Sequence, residues 1–249
     1  MMRMLAIIPM MISRLKYLAN AALDVLMPRL CPVCGHTLMT DERHLCRRCL
    51  MELPLTRLHT IKFNTLEQLF AGKVPVEHAT GYFWYEKGSA YASVLHDIKY
   101  HNCPDMGTFL ARRAGEELLQ CGFYGDVDAV VPVPLHRHKL AQRGYNQSGF
   151  IAQGLAQALG VPVAEAVKAV REHSTQTHKT AEERLRNTEG LYAANRRVMK
   201  TLPAEAHILL VDDVVTTGAT LMACAQALLS DYPGVKISVF TLSVARLAQ

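Results

Sequence analysis

The fold of this chain is decided by Ile208-Leu-Leu-Val-Asp-Asp-Val-Val-Thr-Thr-Gly-Ala-Thr220. The first four residues form a short apolar run, which is typical of a buried parallel strand, and Leu221 to Leu229 is predicted to be a helix. Between them lie two adjacent carboxylates and a tight turn of small hydroxyl residues with one glycine. Backbone N–H groups at the start of such a helix favour a phosphate.

The two carboxylates, Asp212 and Asp213, repel a phosphate, so they suit a neutral polyol beside it or a metal ion that bridges to it. A sugar phosphate satisfies both requirements. The arrangement resembles the 5-phosphoribosyl-1-pyrophosphate (PRPP) motif of type I phosphoribosyltransferases, in which the acidic pair holds the ribose hydroxyls. An ordinary strand–turn–helix with an aspartate N-cap is the alternative, and two carboxylates at a buried strand end would then be a needless cost.

A second strand, loop and helix lie upstream. Asp128-Ala-Val-Val-Pro-Val-Pro134 is predicted to be a central strand that ends near Val131, because proline removes a ladder hydrogen bond. The loop after it is basic, no carboxylate occurs between residues 129 and 164, and a helix is predicted from about Asn146 to Leu159. This pattern predicts a second anion site, and a solvated surface loop is the alternative.

Four of the seven cysteines form two pairs, Cys31-Pro-Val-Cys34 and Cys46-Arg-Arg-Cys49, with eleven residues between the pairs. This spacing is close to that of a tetrahedral zinc site with four thiolate ligands. Four thiolates leave no position for a catalytic water, so the predicted zinc is structural. A dithiol redox pair is the alternative, although the βαβ setting that it needs is missing around these residues.

Composition is typical of a globular protein, and the use of cysteine favours the reduced cytoplasm. Half of the 249 residues are hydrophobic and a fifth are charged, which is ordinary for a globular protein. A formal net charge of +5 is too small to indicate a nucleic-acid binder by itself. Seven cysteines in a chain of this length do not resemble a secreted disulfide framework.

We expect three regions along the chain. Residues 1–27 form an N-terminal helix or extension, 28–76 form the zinc-binding module and a linker, and 77–249 form an α/β domain. The first eleven residues are apolar but too short to span a membrane, and no clear signal-peptide cleavage site follows. The apolar stripe from Ile12 to Leu26 favours a packing helix over one that lies on a membrane surface.

Strands and helices alternate in the third region. Strands are predicted at Gly81–Tyr85, Val161–Val170 and Val235–Val244, and a helix at Tyr91–Tyr100. This alternation predicts a parallel sheet flanked by helices, with ligands beyond the carboxyl ends of the strands. The polar stretch that follows residue 170 has the composition of a mobile active-site flap, and Gln176, Arg184 and Asn187 are the candidate site residues on this flap.

These motifs occur in one order along the chain. The cysteine pairs precede Val131-Pro-Val-Pro-Leu-x7-Arg-Gly-Tyr-Asn-Gln, then Thr175-Gln-Thr-x6-Arg-x2-Asn, then the acidic pair with its loop. In this combination the chain resembles the ComF family, amidophosphoribosyltransferase-like proteins associated with DNA uptake and competence in bacteria. The resemblance covers about Pro28 to Arg246. It implies a type I phosphoribosyltransferase fold with a small N-terminal four-cysteine zinc module.

The resemblance also implies roles for single residues. Asp212 and Asp213 are the candidate catalytic residues, which hold the ribose directly or through Mg²⁺. The 5′-phosphate would be bound by the phosphate loop, which comprises Thr216, Thr217, Gly218, Ala219 and Thr220. The pyrophosphate would lie near Pro132, Val133, Pro134, Leu135, Arg137, Lys139 and Arg143. Lys99 matches a lysine of the family and has no clear role.

Three functions remain open at this stage. The first is a phosphoribosyltransferase that displaces pyrophosphate from PRPP, or uses another phosphoribosylated small molecule. The second is noncatalytic handling of single-stranded DNA together with competence or DNA-processing proteins. The third is a regulator that senses PRPP. The motifs do not establish that a reaction is catalysed, and with aromatic residues at only 7% the DNA function depends on the family more than on these residues.

Overall fold

The computed structural model describes residues 28–100, 103–122, 124–170 and 190–246. The N-terminal extension and the predicted flap, with Gln176, Arg184 and Asn187, lie outside the described residues. The chain divides between Leu53 and Pro54 into two compact units. Among the described residues, no helix is both long and apolar enough to cross a membrane.

The observed boundary differs from the one predicted after residue 76, because residues 54–76 pack within the second unit. The N–H group of Thr56 donates to the carbonyl of Tyr82 at 2.9 Å. The side-chain amide of Asn64 donates to the carbonyl of Ala79 at 2.9 Å. This segment is therefore attached to the edge of the sheet rather than acting as a linker.

The described elements are numbered here in chain order. The helices are α1 (Arg47–Met51), α2 (Thr65–Phe70), α3 (Ala92–Tyr100), α4 (Pro104–Cys121), α5 (Arg137–Arg143), α6 (Gln147–Leu159), α7 (Arg196–Met199) and α8 (Ala219–Asp231). The strands are β1 (Ala79–Tyr85), β2 (Ala129–Pro132), β3 (Val167–Ala169), β4 (Tyr192–Ala194), β5 (His207–Val215) and β6 (Lys236–Ala245).

The first unit contains α1 and an antiparallel bridge between Leu30 and Thr37. Between these features the carboxylate of Glu42 accepts hydrogen bonds from the N–H groups of Met39 and Arg47, at 2.8 and 2.7 Å. One side chain thus supports the chain that connects the two cysteine pairs.

The second unit is built on a parallel sheet in the order β1-β6-β5-β2. Ile208 and Leu210 of β5 share a buried cluster with Leu221 and Leu228 of α8. Because successive strand residues point to opposite faces, Leu209 faces the other side, where α6 contacts β5 and β2. The predicted parallel sheet flanked by helices is confirmed.

Two local predictions need correction. Of the strand predicted over Val161–Val170, only β3 is a strand; it pairs with β4 in a separate antiparallel sheet, and Val163 makes a single bridge to Val130. The basic loop after β2 is largely helical, as α5, and it ends at Gly144, whose φ of 80° is left-handed. The sequence did not predict this short helix, because the helix is polar and cation-rich and buries no apolar stripe.

A hydrogen-bond series that is buried except at its Asp126 end lies at the amino ends of the central strands. His207, which is 4% exposed, has Nδ1 at 2.8 Å from an oxygen of Asp126 and Nε2 at 2.8 Å from the Ser238 hydroxyl. With the proton on Nδ1, the ring donates to the carboxylate and accepts from the serine. Ser238 is fully buried on β6, so His207 connects β5 to β6 through a hydroxyl that is not accessible to a ligand.

Helices α4 and α6 approach each other closely at Gly154. A Cβ atom there would lie 2.2 Å from the carbonyl oxygen of Thr108 and 2.9 Å from the backbone nitrogen of Arg112, both on α4. At Gly149, on the same helix, the nearest atom within 4 Å would be the Cβ of Asn146 at 3.8 Å. Only the first position therefore excludes a side chain.

Gly154→Ala should lower the free energy of unfolding by about 1–3 kcal/mol, because the two helices must separate. Gly149→Ala is the matched control and should leave the free energy of unfolding unchanged or raise it by up to about 1 kcal/mol. Urea unfolding measures both variants. Equal midpoints for the two would contradict the close packing of α4 on α6.

Candidate functional site

The site is formed where β5 extends beyond β2. The last pair between these strands joins Pro132 to Val211, after which β2 ends. Strand β5 continues to Val215, which pairs with Val244 of β6. The strand is therefore longer than the apolar run predicted, and the acidic pair lies on its extension, beside the space that β2 leaves.

Each carboxylate of the pair has a defined partner. Asp212 Oδ1 accepts hydrogen bonds from the Ser148 hydroxyl at 3.0 Å and from the Asp213 N–H at 2.9 Å. Asp213 Oδ2 lies 3.1 Å from the Lys99 ammonium, and these two side chains are 11% and 19% exposed. The pair therefore has one neutral and one cationic contact from other elements.

Burial, together with the negative charge of Asp213, raises the pKa of Asp212 to about 7. The N–H of Asp213, the hydroxyl of Ser148 and the charge of Lys99 act in the opposite direction. Burial and an adjacent negative charge thus destabilise the charged form of Asp212. A bound cation or several hydroxyl donors would relieve that repulsion.

The phosphate loop has its conformation because of Gly218. This residue has φ of 71°, a left-handed conformation that is costly for other residues, and it is the N-cap of α8. A Cβ there would also lie 2.9 Å from Leu69 Cδ2 of α2. The loop is held between α2 and α8, and only glycine fits both constraints.

The amino end of α8 is suited to an anion. Gly218 provides no side-chain cap, and the first turn of this thirteen-residue helix has no acidic residue. Backbone N–H groups at a helix start carry partial positive charge and need acceptors. In the turn before it, Thr216 is exposed and Thr217 is half-buried, so their hydroxyls are accessible.

A basic cavity of about 570 Å³ lies on the Lys99 side of the acidic pair. It is lined by Lys99, Tyr100, Lys139, Gln142, Arg143 and Tyr145. The Arg143 guanidinium lies 5.3 Å from the centre of the Tyr100 ring. Three of the four predicted cations are therefore together, whereas Arg137 is exposed on α5 and is not among the lining residues.

The predicted loop after β2 lies close to the strand extension. Val133 N–H donates to the carbonyl of Val211 at 2.8 Å, and its own carbonyl accepts from the Asn146 amide at 3.0 Å. Pro132 is buried, and Pro134 and Leu135 are half-buried. These contacts join the end of β2 to the start of α6.

Sequence reasoning missed Ser148 as a site residue. It is 3% exposed on the first turn of α6 and contacts Asp212. A serine just inside a helix that follows a basic segment was the available signal, but serine also occurs there for capping alone. Tyr192 of β4 was missed too; burial raises the pKa of its phenol, which also interacts with Thr220.

The cysteine pairs of the first unit converge as predicted. The sulfur atoms of Cys31, Cys34, Cys46 and Cys49 all lie within 4.8 Å of one another, and no disulfide joins them. Burial tends to raise the pKa of Cys31, but N–H groups such as that of Cys46 outweigh it and lower the pKa to about 7. This group could hold a metal ion.

Residues 146–246 match the phosphoribosyl transferase domain family. The matched range runs from the start of α6 through the acidic pair and the phosphate loop to the end of β6. Over these residues the chain is similar to phosphoribosyl transferase domains. In this domain β2 and β1 lie outside the matched residues but belong to the same sheet.

Relatives of the phosphoribosyl transferase domain bear names connected with DNA. The chain is 33% identical over 141 residues to DNA utilization protein YhgH of Salmonella typhi, covering 55% of this chain and 60% of that protein. It is 29% identical over 205 residues to YhgH of Escherichia coli, covering 80% and 84%. It is 34% identical over 102 residues to competence protein F of Haemophilus influenzae, covering 41% and 44%. The predicted resemblance is confirmed.

Gly218→Ala should lower the free energy of unfolding by about 1–2 kcal/mol, because the left-handed φ is strained for alanine. Adding Leu69→Ala removes the steric contact but leaves the backbone strain. A double-mutant cycle by chemical denaturation separates the two contributions. A Gly218→Ala variant as stable as the parent would contradict the left-handed turn.

Proposed function

We propose that the second unit binds PRPP, or a related phosphoribosyl ligand, together with Mg²⁺. The observation that carries this proposal is the position of the acidic pair directly before a helix start that Gly218 leaves uncapped. Carboxylate oxygens beside backbone N–H donors match a ligand with hydroxyls at one point and a phosphate at the next.

The donor set fits Mg²⁺. This ion prefers oxygen ligands and is usually bound by one or two carboxylates together with substrate phosphates. Asp212 and Asp213 supply such oxygens, and their mutual repulsion favours a cation. Bound there, Mg²⁺ would neutralise charge on the leaving pyrophosphate.

The protein's own groups would orient the ligand. Phosphate-loop N–H groups would donate to the 5′-phosphate, and Asp212 would accept from a ribose hydroxyl while Ser148 holds its Oδ1. Lys139 and Arg143 of the basic cavity would attract the pyrophosphate. A phosphoribosyl ligand would in this way be contacted at both of its charged ends.

Handling of single-stranded DNA is the second candidate, and the Arg143–Tyr100 pair favours it. Tyr100 is 61% exposed, and a cation over an exposed aromatic ring is a surface on which a base can stack beside a phosphate. The names of the relatives, DNA utilization protein and competence protein F, support a role in DNA uptake. We place this role in the cytoplasm with competence or DNA-processing partners.

For the first unit we propose a structural zinc ion on the four cysteines. The support is the convergence of four sulfur atoms, a donor set that zinc prefers and that fills its coordination shell. Between residues 28 and 53, the part of this unit that the structure describes, the buried apolar side chains besides cysteines are Leu38, Leu45 and Leu53. With so small a core, the ion would supply much of the folding free energy of this part.

Cys46→Ser should release the zinc and unfold the first unit while the second unit stays folded. Cys121→Ser, a cysteine outside the cluster, is the control and should retain about one zinc per chain. Elemental analysis of freshly purified protein gives the ratio. Less than about half an equivalent of zinc in the parent would refute the assignment.

Asp212→Asn should weaken PRPP binding in the presence of Mg²⁺ by at least about tenfold, or roughly 1.4 kcal/mol. Asparagine retains an oxygen that can accept the hydrogen bond from Ser148, and it removes the charge repulsion with Asp213. The free energy of unfolding should therefore not fall. Isothermal titration calorimetry measures the affinity, with the exposed Asp105→Asn as control.

The same titrations decide between the two candidates. If the parent protein releases no heat with PRPP and Mg²⁺, the proposal that it binds PRPP is contradicted. Binding of a single-stranded oligonucleotide should be unchanged or stronger in Asp212→Asn, because a negative charge is removed. If the parent protein does not bind the oligonucleotide, the proposal that it handles single-stranded DNA is eliminated.

A further inference from the structure

Lys99 is the residue that links the acidic pair to the basic cavity. Its ammonium lies 3.1 Å from Asp213 Oδ2, and its side chain also lines the cavity with Lys139 and Arg143. Family resemblance marked this lysine without giving it a role. Its position between two regions of opposite charge suggests one.

The backbone beside Lys99 is fixed, whereas its side chain can turn. Ile98, the preceding residue, is fully buried, and its carbonyl accepts a hydrogen bond from the Tyr145 hydroxyl at 2.7 Å. Lys99 is in the last turn of α3 and has a flexible four-carbon stem. The ammonium can therefore exchange partners without movement of the helix.

We propose that Lys99 is the resident cation of the acidic pair, which excludes a divalent metal ion from Asp213 until a polyanion in the basic cavity draws the lysine away. This inference rests on the proposed function and adds to it the order in which the cation sites are used. Lys99 thereby couples the binding of metal to the binding of the polyanion.

The physical reason is competition for one oxygen. A divalent ion such as Mg²⁺ must approach its carboxylate ligand to about 2.0–2.1 Å, and an ammonium already bonded to that carboxylate repels it. With both groups largely buried, water screens this repulsion less than at the surface.

The basic cavity supplies the alternative partner. Lys99, Lys139 and Arg143 repel one another, and a pyrophosphate among them would accept hydrogen bonds from all three. Once Lys99 donates to the polyanion, Asp213 is left for the metal ion. By reciprocity, the metal must then strengthen polyanion binding by the same factor.

The experiment measures Mn²⁺ alone and pyrophosphate alone, so that neither probe chelates the other. Electron paramagnetic resonance reports Mn²⁺ binding, and calorimetry in EDTA reports pyrophosphate binding. Lys99→Met should bind Mn²⁺ at least about tenfold more tightly than the parent and pyrophosphate several-fold more weakly. A lysine with a merely structural role would not produce these opposite changes.

Two further variants sharpen the result. Lys139→Met should weaken pyrophosphate binding but change Mn²⁺ affinity by less than about twofold. Asp213→Asn in the Lys99→Met background should abolish the gain in Mn²⁺ affinity, which locates the gain at this carboxylate. Where Lys99→Met does not fold, Lys99→Gln keeps the length and polarity and makes the same test.

A folded Lys99 variant whose Mn²⁺ affinity lies within about twofold of the parent's overturns the inference. Because PRPP takes no part, this failure is distinct from a failure of the proposed function. The parent protein could fail to bind PRPP while the Lys99 variant binds Mn²⁺ more tightly than the parent does. That result would refute the proposed PRPP binding and still support the competition between lysine and metal.

Discussion

The early end of pairing between β2 and β5 is the constraint on which the site depends. Proline cannot donate to a sheet, so the two prolines after Val131 stop the ladder at Pro132 while β5 continues beside β6. The extension of β5 therefore borders an opening. Side chains from α3 and α6 reach into this opening and meet the acidic pair, which a neighbouring strand would otherwise have covered.

Placing two adjacent carboxylates on a largely buried strand is unfavourable without partners. The contacts in the second unit offset this cost unequally. Ser148 gives Asp212 a neutral donor, which does not cancel its charge, whereas Lys99 gives Asp213 a full positive charge. Burial and the charge of Asp213 still raise the pKa of Asp212, against the opposing contributions of Ser148 and Lys99. The protein thus compensates the charge of Asp213, whereas Asp212 still favours an added hydrogen-bond donor or cation.

Sequence reasoning was most successful where a pattern reflects one local cause. The apolar run at Ile208, the glycine of the phosphate loop and the spacing of the cysteines each depend on neighbours in the chain, and the fold class followed from them. It was least successful where the cause is tertiary. The extension of β5 depends on β6, and the contacts of Ser148 and Lys99 depend on helices distant in sequence. The separate β3–β4 sheet arises in the same way, since apolar strands do not reveal their partners.

The two ends of the main sheet differ in the elements that their polar side chains connect. At the amino ends, His207 connects Asp126 with the buried Ser238, a serine, histidine and carboxylate in series. Those three residue types form nucleophilic sites in other settings, but here the serine is fully buried, so its hydroxyl is not accessible to a reactant. The hydrogen bond between His207 and Ser238 instead joins β5 to β6 and helps to keep these strands in register. At the opposite ends, Ser148 and Lys99 reach the acidic pair from helices, so a change in these contacts breaks no hydrogen bond between strands.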